Sequence, residues 1–159
     1  MKNSLVPVEE FIARRATFIE KMANNSVAII FAGQEVTRSN DTEYLFCQNK
    51  HFYYLTGFNE PDAVLLLIKG EQAKSQNQNQ NQSILFSRAK DALQEVWHGK
   101  RIGQALAVTE YAFEQCFTLP EINDLLPSYL SNKTQLSYCF SQLGEQTDSQ
   151  IQSNKRGHP

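Results

Sequence analysis

Apolar residues recur at helical spacing near the N-terminus and then gather into short unbroken aliphatic runs, a pattern of helix alternating with buried strand. Phe11, Ile12, Phe18, Ile19 and Met22 share one face of a helix that starts after Pro7, whose fixed φ suits a first turn. Glu9 and Glu10 sit at the positive end of its dipole, and Asn24-Asn25 stops it. Residues 26–32, SVAIIFA, have no polar face and read as a central strand buried on both sides. A polar loop follows over 35–44. The aromatic run 51–56 is expected as a strand that Gly57 ends. Asn59-Glu60-Pro61-Asp62 is turn chemistry, since proline fixes one φ and Asn or Asp tolerates the bend. Residues 63–69 and 83–87 predict two further strands, with the Gln/Asn repeat 76–82 in a solvated hairpin loop between them. Segments 91–97 and 99–103 fit a helical turn or extended chain equally, and 105–117 is expected to be helical. Pro120, with Glu121 and Asp124, starts another helix, and 136–140 predicts a last strand. The expectation is a single domain over 1–143 and a linker or frayed tail over 144–159. Such alternation implies an α/β domain, a mixed β-sheet flanked by helices.

Composition narrows the class. A chain of 159 residues, 41% hydrophobic and 20% charged, is ordinary globular material with enough length for a real core. No apolar run is long enough to span a bilayer, and the start MKNSLVPVEEF shows no secretory signal core. Cys47, Cys116 and Cys139 are odd in number and set among apolar or aromatic neighbours, which fits reduced, mostly buried thiols and a cytoplasmic location. Fifteen basic against 17 acidic residues leave −2, without a basic patch, which argues against nucleic acid or a membrane as partner.

Independent catalysis finds little support in the residues. Metal hydrolysis needs three or more converging His, Asp, Glu or Cys ligands and an open coordination position. The three histidines, His51, His98 and His158, have no second ligand at helical or strand spacing, and His51 reads as a packed or half-exposed strand residue. Cys47 and His51 give no sign of a lowered thiol pKa. Gly99 and Gly103 flank Lys100-Arg101 but form no phosphate cradle. Asp41, Glu43, Glu60, Asp62, Asp91 and Glu95 lack the strand-end convergence a magnesium nuclease needs. Hence no catalytic and no metal-ligating residue is assigned.

Three segments carry a pattern that composition does not: TRSNDTEY, FYYLTGFNEPDAVL and EVWHGKRIG. Over about residues 11–126 this order resembles the N-terminal domain of the proline-specific aminopeptidases, the aminopeptidase P branch of the creatinase/prolidase family. The resemblance implies the creatinase N-terminal fold, an RNase H-like mixed sheet. It implies too that the peptide-cleaving site, two manganese ions held by two Asp, one His and two Glu, lies in a separate C-terminal domain that this chain is expected to lack. The whole enzyme would remove the residue ahead of a proline at the second position of a peptide. This domain would oligomerise, as dimer or tetramer, and shape a neighbouring subunit's pocket. The family's Asp of TRSxDxEY and Trp of ExWxGxRxG match Asp41 and Trp97, with Arg38 placed to fix Asp41. Against those roles stand plainer ones, a local Arg–carboxylate or Asx-turn network for Arg38 and Asp41. A lone tryptophan among charges suits a half-wet interface better than a core. His98 stands where the family often carries an aromatic residue. Two other readings stay open: a free-standing interaction or regulatory module of the same fold, and the N-terminal domain of a prolidase.

Overall fold

The computed structural model describes residues 5–34, 37–38, 42–43, 48–71, 81–139 and 152–153. In chain order these form α1 (Val8–Lys21), β1 (Ser26–Phe31), β2 (Thr37–Arg38), β3 (Thr42–Glu43), α2 (Lys50–Thr56), β4 (Val64–Lys69) and β5 (Gln82–Ser87). Then come α3 (Ala92–His98), α4 (Gly103–Tyr111), β6 (Gln115–Thr118), a 3-10 turn (Leu119–Glu121), α5 (Ile122–Leu130), β7 (Gln135–Cys139) and β8 (Gln152–Ser153).

The aliphatic runs build one sheet in the order β6-β5-β4-β1-β7-β8. β1 pairs antiparallel with β4 and parallel with β7, while β5 pairs antiparallel with β4 and parallel with β6. The sheet is therefore mixed. β1 and β4 lie centrally and are apolar on both faces because helices cover both. Ala28, Ile30, Leu65, Leu67 and Leu85 face Phe52, Leu55 and Ile19 of α2 and α1, with Ala107 of α4. On the other side Val27, Ile29, Leu66, Ile84 and Phe86 meet Ile122, Leu125, Leu126 and Tyr129 of α5. The Gln/Asn repeat joins the antiparallel pair β4 and β5, and its residues 76–80 lie outside the described residues. Of the segment 144–159, Gln152–Ser153 are described, and they pair antiparallel with β7 at the sheet edge.

Two expectations are corrected. Residues 51–56 are helical, not extended. Asn49 caps the helix, its side chain accepting from the His51 and Phe52 N–H groups at 2.8 and 3.2 Å. Phe52, Leu55 and Thr56 are buried while Tyr53 and Tyr54 face out, a period no strand could satisfy. Gly57 ends the helix at φ 65°, and a Cβ there would lie 2.6 Å from the Phe11 ring. His51 is thus an exposed helix residue. The second correction concerns 105–117. That helix stops at Tyr111, where Ala112 takes φ 57°, and Gln115–Thr118 becomes a strand beside β5. Cys116 then packs towards one core and Phe117 towards the other, alternation that a helix would destroy.

A buried cation locks the helical layer. Arg15 of α1 is 2% exposed and donates to the carbonyls of Leu55, Tyr111 and Ala112 at 2.9, 3.0 and 3.0 Å. It thereby satisfies the open carbonyls at the ends of α2 and α4.

Candidate functional site

Between β5 and α4 the chain makes an excursion, residues 88–102, that carries α3. A helix of seven residues is too short to persist alone, so contacts at its ends must hold it. Asp91 caps it, accepting from the Leu93 and Gln94 N–H groups at 3.0 and 3.4 Å. The Glu95 carboxylate accepts the Arg101 N–H at 2.7 Å and lies 3.6 Å from Lys90 Nζ. The Arg101 N–H first, then Lys90 and the Arg101 charge, hold the Glu95 carboxyl below its ordinary range against some desolvation. The Arg101 guanidinium donates to the Ala89 carbonyl at 2.9 Å, closing the base of the arm.

The arm is mounted on the turn after α2. The Glu60 carboxylate, 5% exposed, accepts the Ile102 N–H at 2.7 Å and meets the Arg88 guanidinium at 3.5 Å. Three of the arm's exposed side chains are large and apolar. Leu93, Val96 and Trp97 are 74%, 77% and 80% exposed. Their i, i+3, i+4 spacing places them on one face. A pinned element that holds three large apolar side chains in water is the mark of a surface meant for contact.

Trp97, singled out in the sequence, lies on this stripe. Leu93 and Val96 were missed, although their spacing signals the same face once 91–97 is read as helix. Arg38 belongs to a small hairpin in which it pairs with Thr42 across β2 and β3. Its side chain, like all of Asp41, lies outside the described residues. Glu60, which holds the base of the arm, had no sequence signal of that role.

A groove of about 450 Å³ lies elsewhere, with Glu10, Arg14, Lys21, His51 and Tyr54 around a floor that includes Ile30. None of its lining residues belongs to the arm. Among the described residues no three His, Cys, Asp or Glu side chains converge to hold a metal ion. Those residues do not fit a metal centre. Burial pushes the Cys116 thiol up to about 11, only partly opposed by the Ser87 hydroxyl 3.7 Å away, which disfavours the thiolate a nucleophile needs.

Residues 11–138 match the family described as aminopeptidase P, N-terminal domain. The chain belongs to that family. The Xaa-Pro aminopeptidase of Escherichia coli K12 is 43% identical over 123 residues, which are 77% of this chain and 26% of that protein. The solved E. coli aminopeptidase P with the inhibitor Pro-Leu superposes with a TM-score of 0.79 at 38% identity, covering 89% of this chain and 31% of that one. A Zn-substituted E. coli aminopeptidase P in complex with product superposes at 0.75 with 39% identity, again over 89% of this chain and 30% of that one. This chain therefore spans less than a third of the length of those relatives. The mixed sheet flanked by helices is the aminopeptidase P N-terminal fold. No helix among the described residues is long and apolar enough to cross a membrane.

Proposed function

We propose that this chain is the non-catalytic N-terminal domain of a cytoplasmic Xaa-Pro aminopeptidase. It mediates homo-oligomerisation, to a dimer or tetramer, and shapes the active site of a neighbouring subunit. The chemistry belongs to the protein's own C-terminal domain, where two manganese ions would activate water against the bond before a proline at the second position. One observation carries this reading: the arm 88–102 is fixed at its base and shows a bare Leu93, Val96 and Trp97 stripe at its tip. Hydrogen bonds fix the arm, so contact across the stripe costs little ordering and recovers apolar burial. Trp97 would wall the peptide pocket, while Asp41, held by Arg38, would make a polar contact at its edge. An indole wall from a neighbour narrows a pocket to free peptide ends and excludes water without touching the metals.

The test takes the purified chain with manganese and an Ala-Pro peptide, together with sedimentation over a wide concentration range. The reading expects no release of the first residue and concentration-dependent self-association. Metal-dependent release above a no-protein control, or a strict monomer throughout, contradicts it.

A further inference from the structure

The structure places the bases of two separate excursions on one turn. The first base lies on either side of the segment that holds β2 and β3: Gln48 Oε1 accepts the Gly33 N–H at 2.6 Å. The same carboxamide turns its Nε2 to the Phe58 and Glu60 carbonyls at 3.2 and 2.7 Å. The Asp62 N–H donates back to the Gly33 carbonyl at 3.0 Å, so residues 58–62 are tied to that base on both sides. The second excursion is the Trp97 arm. Its two ends, Arg88 and Ile102, meet at the Glu60 carboxylate. Glu60 therefore belongs to both ties: its backbone carbonyl faces Gln48 and its side chain faces the arm.

We infer that Glu60 and Gln48 are positioning residues, a common mount that fixes the Trp97 arm relative to the hairpin carrying Arg38. The turn suits the task. Pro61 restricts one φ, Gly57 holds the left-handed bend behind it, and Phe58 is completely buried. A carboxylate removed from water is held most firmly by fixed N–H and guanidinium donors, which gives Glu60 a single orientation and hence the arm a single root. Gln48 reaches the arm only through Glu60 among these bonds. Loosening either residue should free the arm while the sheet remains intact. The consequence for a neighbour's pocket rests on the role of Trp97 proposed above; the mount itself does not.

Trp97 is the single tryptophan, so time-resolved fluorescence anisotropy of the 159-residue chain reads the arm alone. In wild type the decay should follow overall tumbling, with a small nanosecond local component. Glu60→Ala and Gln48→Ala should each enlarge that component about twofold or more. Glu60→Gln keeps an acceptor for the Ile102 N–H and should restore most of the order. Ile19→Ala, a core truncation on α1, should lower the melting temperature and leave the decay unchanged. A wild-type decay in Glu60→Ala, or an Ile19→Ala arm as mobile as that of Glu60→Ala, overturns the inference. So does a silent Gln48→Ala, since the two bases would then be independent. Should Glu60→Ala not fold, Gln48→Ala decides alone. A pinned arm combined with normal turnover in Trp97→Ala would sink the pocket role and spare the mount.

Discussion

Replacing Arg15 with Met would test the strongest single tie in the helical layer. The side chain is 2% exposed and serves three carbonyls, those of Leu55, Tyr111 and Ala112, with its guanidinium 4.6 Å from the Phe113 ring centre. Burial lowers its pKa to about 10, with the Glu114 charge opposing, so it remains cationic at neutral pH. A buried acceptor left without its donor costs about 1–3 kcal/mol. Three of them set an upper bound that Met softens, because it refills volume and spares the burial of a charge. The expected loss is about 3–4 kcal/mol, the range for breaking a buried charged network. Against a total of about 5–15 kcal/mol this is a large share. Urea unfolding followed by circular dichroism should show the midpoint falling by about 1–4 M for slopes usual in small proteins. Arg15→Lys should recover a minor part only, since one ammonium cannot span the fork. The pH dependence adds a check. A folded pKa below the unfolded one means that the unfolded chain holds the extra proton between about 10 and the ordinary arginine value. This group's contribution is therefore flat below that window and rises with pH inside it. A loss under about 1 kcal/mol at neutral pH would refute the assigned role of these three bonds.

Other outcomes follow from single contacts. Gly57→Ala forces a side chain into the left-handed region and against Phe11, at 2.6 Å. It should cost about 2–4 kcal/mol, seen as a fall in melting temperature. The Cys116 thiol, raised from 9.0 to about 11 by burial, favours folding below its unfolded pKa. That contribution is lost as pH climbs from about 9 to about 11, so Cys116→Ser should flatten the alkaline fall in stability across this window. An unchanged slope would count against burial as the cause.

Periodicity made α1, β1 and the β4–β5 hairpin legible, because the sheet's two covered faces impose unbroken aliphatic runs. It failed at residues 51–56, where aromatic content suggests a strand. There the flanking signals decide: Asn49 caps the start and Gly57 releases the end. The helix expected over 105–117 ran too far, since nothing local marks Ala112 as left-handed; pairing with β5 imposes the strand beyond it. Nothing local in the sequence marks Arg15 as buried; its burial follows from where two distant helices end. At the candidate site the lone tryptophan was readable, as polar surroundings imply exposure. The mount was not, because Glu60 and Ile102 meet across 42 positions.

Turnover by Trp97→Ala in the protein carrying its catalytic domain is the most direct measurement. With 80% of Trp97 in water, the folded chain loses little when it is truncated. Burial against a neighbour, by contrast, is worth about 1.5–3 kcal/mol for a large apolar side chain. On a peptide with proline second, kcat/KM should fall about tenfold or more while metal content, assembly and melting temperature stay at wild-type values. Wild-type kcat/KM on short and long proline peptides alike would contradict the account, leaving Trp97 without a part in the neighbour's pocket.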